Sequence, residues 1–184
     1  MNMTPEQASV LNRDLCLLAP VVPVLVLDDA ALAADLARAL IAGGLPALEV
    51  TLRTPAALDA IREMAAIPGG VVGAGTLLTP KDVENAKATA SEAMRLLERG
   101  YTVQKFFPAE ANGGVPALKA IGAPIPQVKF CPTGGVSLKN APDYLALSNT
   151  LCVGGSWVAP KDLMLAGDWA GIEALAREAA ALKR

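Results

Sequence analysis

The chain has 184 residues, of which 53% are hydrophobic and 18% charged, with a formal net charge of −2 and no histidine. That is enough apolar sequence for one domain with a sizeable core, and too much for a disordered chain. The balanced charge excludes a basic nucleic-acid surface, and the lack of histidine excludes Ser-His and Cys-His nucleophile pairs and most zinc sites.

No apolar run reaches the length of a membrane span, and the first residues do not begin a signal peptide. Cys16, Cys131 and Cys152 are scattered and odd in number, which predicts reduced, partly buried thiols in a cytoplasmic protein. Whatever chemistry occurs must use Lys, Glu, Asp, Arg, Ser, Thr, Tyr, Cys or backbone groups.

A helix is predicted over residues 4–18, with Thr4 as N-cap and Pro5 at the first helical position. The β-branched run 20–27 predicts a buried strand. Asp28 and Asp29 can cap the next helix, whose apolar face carries Leu32, Leu36 and Leu40 and which Gly43-Gly44 ends. A second strand is predicted over 47–52, followed by Arg53-Thr54-Pro55 and a helix to about Ala66. A third strand covers 70–76, and Thr79-Pro80 starts another helix. Further strands are predicted around Lys105, at 127–132 and at 150–155. Helices are predicted near 115–121, near 141–147 and at 168–182.

Strand and helix alternate throughout, which predicts parallel strands joined by crossover helices. The strand exits are polar or glycine-rich, and in a parallel barrel all such ends lie on one face, where the site forms. No GxGxxG or Walker sequence supports a nucleotide fold. The count is six strands, whereas a closed barrel of this kind has eight. One region is anomalous. Thr89-Ala90-Ser91-Glu92 is a capping box, a helix start, inside what otherwise reads as one helix from Pro80 to Arg99.

The stretch Tyr101 to Ala109 places Lys105 inside an apolar strand pattern. A lysine desolvated there would lose its proton more easily and become an amine nucleophile. The simpler reading is a lysine on the wet face of a half-exposed strand. Lys129, on another strand, is its internal competitor. Glu49 lies between Leu48 and Val50. It is either a proton-transfer carboxylate or a structural partner of Arg53, four residues on and on the same strand face.

Five segments together resemble the class I aldolases that cleave 2-keto-3-deoxy-6-phosphogluconate (KDPG), a family that includes 4-hydroxy-2-oxoglutarate (KHG) aldolase activity. They are Leu48 to Thr54, Val72 to Thr76, Lys105 to Glu110, Phe130 to Gly135 and Val153 to Trp157, in family order and on strand ends. The resemblance runs from about Val21 to the C-terminus. It is interrupted once, by about thirty residues missing between Ala88 and Thr89, the size of a βα unit. These would hold the fourth strand, its helix and the fifth strand, and their loss explains the misplaced capping box.

The resemblance implies an α/β (βα)8 barrel, here with six recognisable strands, as a single domain over 1–184. It implies reversible cleavage of KDPG to pyruvate and glyceraldehyde 3-phosphate, as in the Entner–Doudoroff pathway, with no cofactor and no metal. Lys105 would form the Schiff base and Glu49 would be the general acid/base. A free lysine has a pKa of ~10.4, and lowering it to ~7–8 costs the charged form ~4 kcal/mol, for which burial and a nearby Arg53 have the right sign. Arg53 would grip the pyruvyl carboxylate, with Thr76 as a second contact. Thr133, Gly134, Gly135, Gly155 and Ser156 would hold the phosphate, where barrels often bind it. Phe107 would pack on the substrate or in the core. The partner implied is a small phosphorylated keto acid, with neither nucleic acid nor membrane, and the assembly implied is a homotrimer. Two other readings stay open: a relic that binds phosphate but has unpaired strand edges, and an aldolase for a related keto-deoxy acid.

Overall fold

The structure, a computed structural model, describes residues 3–75 and 90–184. Thr76, the predicted helix start at Thr79-Pro80 and the junction of Ala88 with Thr89 lie outside the described residues. The described chain forms two compact units.

The first unit begins with α1, Pro5–Leu17. Its start is the capping arrangement expected from Thr4 and Pro5. The Gln7 amide N–H donates to Thr4 Oγ1 (3.3 Å) and Gln7 Oε1 accepts from the Thr4 amide (2.9 Å), which satisfies donors that a bare helix end leaves orphaned. Next come α4, Ala90–Glu98; β4, Val103–Phe106; α5, Gly114–Gly122; β5, Lys129–Pro132; and α6, Ala141–Leu145. Strands β4 and β5 pair in parallel, with Lys105 opposite Cys131. Parallel bridges Phe130↔Thr150 and Thr133↔Gly154 attach the next segment, so β5 has a neighbour on both sides. Gln104 and Phe106 are buried, and Gln104 Nε2 donates to the carbonyls of Ala93 in α4 (3.0 Å) and Tyr101 (2.9 Å). That side of β4 therefore meets the helix layer.

The second unit holds β1, Val21–Leu25; a 3-10 turn, Ala30–Leu32; α2, Ala33–Ala42; β2, Ala47–Thr51; α3, Ala57–Ala65; and β3, Val71–Gly75. It ends with α7, Lys161–Ala166, and α8, Trp169–Ala180, while β6, Val153–Gly155, crosses the boundary between the units. Strands β1, β2 and β3 pair side by side in parallel. Asp29 caps the 3-10 turn, accepting from the Ala31 amide, and Asp168 caps α8, accepting from Gly171. Leu36 and Leu40 of α2 are fully buried, each contributing about 1.5–3 kcal/mol by removal from water. Gly43 ends α2 where α8 crosses it, and a Cβ there would lie 2.7 Å from the Glu173 carbonyl, so only glycine allows this approach.

Among the described residues the predicted order of elements holds, and α7 was not predicted. The last strand is shorter than expected because Thr150 makes only an isolated bridge. Among the described residues, no helix is long and apolar enough to cross a membrane.

Candidate active site

Lys105 is the third residue of β4, on the face opposite Gln104 and Phe106. It is exposed, which overturns the expectation of a lysine buried among apolar neighbours. The reason is strand alternation. The flanking Gln104 and Phe106 point to the helix layer, and Lys105 takes the other face with its register partner Cys131. Lys129 is separated from it by position and by partner. It opens β5 at the strand's N-terminal end, opposite Val103, and its Nζ donates to the Ser148 carbonyl at 3.0 Å. A catalytic lysine of a parallel barrel belongs toward the C-terminal ends, where Lys105 stands.

The three cysteines come together in this unit. The hydrogen bond with Cys152 acts to lower the Cys131 pKa. The Cys16 thiol and burial outweigh it, with the Lys105 charge a small opposing effect, and Cys131 is pushed up to about 12 from 9.0. Cys152 is also raised well above its usual value, first by its bond to Cys131, then by Cys16 and burial. These are protonated thiols of low reactivity. Because the folded pKa values are raised, their stabilisation is complete below about pH 9 and is lost as pH rises toward 12. We expect the urea midpoint to fall between pH 9 and 10.5, by ~1 kcal/mol in stability for each pH unit, and the fall to flatten in Cys152→Ala. Parallel pH profiles for the two proteins would contradict this.

After β5 the chain turns through Thr133, Gly134 and Gly135. Both glycines have positive φ, 94° and 79°, which side-chain-bearing residues rarely adopt. The turn's carbonyls are all engaged. Thr133 O accepts from the Ala109 amide (2.7 Å), Gly134 O from the Glu110 amide (3.1 Å) and Gly135 O from Asn140 Nδ2 (3.2 Å). The amides of Gly135 and Val136 have no acceptor among the described residues, while the Gly134 amide is directed at Gly154 across the Thr133↔Gly154 bridge. Adjacent amides left without acceptors, on a turn whose carbonyls are engaged, are donors suited to an anion. Thr133 itself is buried, with its hydroxyl toward the Cys131 carbonyl (3.4 Å) and its side chain over Gly154, so it shapes the turn through its backbone. The half-buried Phe107 ring packs on Gly134.

In the second unit, Glu49 is half-buried, on the face of β2 opposite the buried Leu48 and Val50. Its carboxyl lies over Gly75 of β3, where a Cβ would come within 2.6 Å of the carboxyl carbon. Arg53 is exposed and lies beyond the end of β2, in a turn where its amide donates to the Thr51 carbonyl at 2.8 Å. The expectation that it continues the Glu49 strand face is thus corrected, since the strand stops at Thr51. Gly155 is buried beneath the Trp157 ring, and Ser156 is exposed. The first unit thus holds Lys105, Phe107 and Thr133 to Gly135, and the second holds Glu49, Arg53, Gly155 and Ser156.

The family model described as KDPG and KHG aldolase matches residues 13–94 and 87–175. The chain belongs to this family. A 2-dehydro-3-deoxy-phosphogluconate aldolase of Pseudoalteromonas atlantica is 45% identical over 202 aligned residues, covering 92% of this chain and 94% of that one. The aldolase of Zymomonas mobilis solved with 3-phosphoglycerate is 45% identical, with a TM-score of 0.82 over 93% of this chain and 95% of its own. The KDPG aldolase of Legionella pneumophila, solved with pyruvate captured as a covalent carbinolamine, is 36% identical, with a TM-score of 0.84 over 97% and 99%. The fold class is therefore the expected α/β barrel class, with six strands among the described residues.

The aldolase comparisons also bear on the missing segment. The alignment has 202 positions, yet 92% of 184 residues is about 169, so about 33 positions have no counterpart in this chain. The two matches to the family model overlap within 87–94, which brackets the junction of Ala88 with Thr89. The expected shortfall of about thirty residues is of this size and at this place.

Sequence reasoning missed Cys131 as the facing partner of Lys105, Val136 as the second free amide, and the side chains of Glu110, Asn140 and Tyr144 around the turn. Glu110 stands within the quoted Lys105 motif. Tyr144 is 34 residues further on, and no periodicity connects them.

Proposed function

We propose that the chain is a class I aldolase that reversibly cleaves KDPG to pyruvate and glyceraldehyde 3-phosphate through a Schiff base on Lys105. The observation that carries this reading is the pairing, on adjacent strands, of a solvent-facing lysine with a turn whose free amides suit a phosphate. The carbinolamine and 3-phosphoglycerate captured in solved relatives support it. So does the position of every predicted site residue outside the missing stretch.

The unprotonated Lys105 amine attacks C2 of the keto acid, and loss of water from the carbinolamine gives the iminium. Removal of the C4 hydroxyl proton then breaks the C3–C4 bond. The electron pair moves into the iminium as an enamine, and glyceraldehyde 3-phosphate leaves. Protonation at C3 and hydrolysis release pyruvate and free the lysine. Glu49 is the proposed proton carrier in these steps. Arg53, with Thr76, is the proposed holder of the pyruvyl carboxylate, and Phe107 lines the reacting end. The proposed phosphate contacts are the turn at Thr133, Gly134 and Gly135, with Gly155 and Ser156. In this reading residues 1–184 form one barrel domain, working in the cytoplasm as a homotrimer.

The test is borohydride reduction in the presence of pyruvate, followed by peptide mass mapping. The expected result is one stable adduct, on Lys105. Folded protein that gives no adduct, or gives it on Lys129, would sink the mechanism.

A further inference from the structure

Glu110 connects three parts of the first unit. Its amide donates to the Gly134 carbonyl at 3.1 Å, and its side-chain methylenes lie against Gly135, where a Cβ would come within 2.6 Å of its Cγ. Its carboxylate accepts a hydrogen bond from the hydroxyl of Tyr144, a fully buried residue of α6. The carboxylate oxygen and the Tyr144 hydroxyl both lie beside Gly114, the first residue of α5. A helix start is a favourable place for a negative charge.

This placement has an electrostatic consequence. The two free amides of Gly135 and Val136 lie on the turn against which the Glu110 side chain packs. A carboxylate tethered there could bind those amides itself, and it would also repel a phosphate dianion. Tyr144 holds it at α5 instead. Burial, then the bond to Glu110 and its charge, raise the Tyr144 pKa, so the phenol keeps its proton and remains a donor.

We propose that Tyr144 and Glu110 are positioning residues for the phosphate turn: the Tyr144 hydroxyl keeps the Glu110 carboxylate at the start of α5 and away from the Gly135 and Val136 amides. This rests on the reading of that turn as the phosphate site. Neither residue touches the reacting carbons, so the effect falls on the phosphorylated substrate alone.

The experiment is steady-state cleavage of KDPG and of the same acid without its phosphate, by the unaltered protein, Tyr144→Phe, Glu110→Gln and the double variant. We expect Tyr144→Phe to raise KM for KDPG about tenfold, the equivalent of ~1.4 kcal/mol, with kcat changed less than about twofold. The unphosphorylated acid should be unaffected. The double variant should recover most of the lost KM, because the amide that replaces the carboxylate carries no charge. Glu110→Gln alone, which keeps a neutral acceptor for Tyr144, should bind KDPG as well as the unaltered protein or better. A Tyr144→Phe change that shifts both substrates equally, a double variant with no recovery, or a raised KM in Glu110→Gln overturns the proposal. If the unaltered protein does not distinguish the two acids, the phosphate reading itself falls, and the proposal with it.

Discussion

Lys105→Met should lower kcat/KM for KDPG by at least about 10⁴-fold and abolish borohydride trapping, because the reaction loses its covalent electron sink. Lys129→Met should stay within about threefold of the unaltered protein. The contrast follows from the β4–β5 ladder. Lys105 faces Cys131 on the side away from the helix layer, whereas Lys129 stands opposite Val103 with its ammonium on the Ser148 carbonyl. Lys105→Met also removes no hydrophobic packing, since the residue is exposed, so the variant should fold and its lost activity report chemistry. Trapping with pyruvate at saturating concentration, read by intact mass, checks both variants. An adduct persisting in Lys105→Met would move the nucleophile elsewhere.

Exposure also changes how the amine must be prepared. The sequence suggested that apolar burial would favour the neutral lysine. The structure leaves the lysine exposed, with the buried Gln104 and Phe106 on the opposite face. The pairing of alternate residues was legible in the sequence, but which face the helices cover was not. Gln104 is a case in point. A polar residue beside Lys105, it is buried because its amide satisfies two carbonyls, those of Ala93 and Tyr101.

Features written in local sequence were legible. Thr4, Asp29 and Gly43-Gly44 set helix ends through contacts within a few residues, and the structure has them. The helix Lys161–Ala166 has six residues, too few to display a period, and it went unpredicted. Likewise, the strand exits identified the glycine turn at Gly134, but the engagement of its carbonyls depends on Ala109, Glu110 and Asn140. Those partners come from a neighbouring strand exit and a following helix, and they meet only once register is set.

The missing positions sharpen the point about local and non-local information. About 33 family positions are absent, yet among the described residues β3 before the junction and α4 and β4 after it form in the expected places. Each βα unit is specified mainly by its own sequence, so a loss of this kind can spare the elements on either side. The residues proposed for chemistry are carried on those elements: Glu49 on β2, before the junction, and Lys105 on β4, after it.

Glu49→Gln should lower kcat by about 10²–10⁴-fold while leaving the Lys105 adduct with pyruvate able to form, more slowly. The glutamine keeps shape and hydrogen-bonding capacity and removes only the titrating proton, so a large effect isolates proton transfer from packing. The setting of Glu49 supports this design. Its neighbours Leu48 and Val50 supply the burial of β2, and its own side chain extends on the other face over Gly75, which has no side chain to crowd it. Gly75→Ala is the matching control. It leaves the carboxylate chemically intact but forces it to move, because the new methyl group would come within 2.6 Å of the carboxyl carbon. A carboxylate that works by position should lose activity in both variants. If kcat in Glu49→Gln stays within threefold of the unaltered protein, proton transfer belongs to another group, and Glu49 is a structural residue of β2.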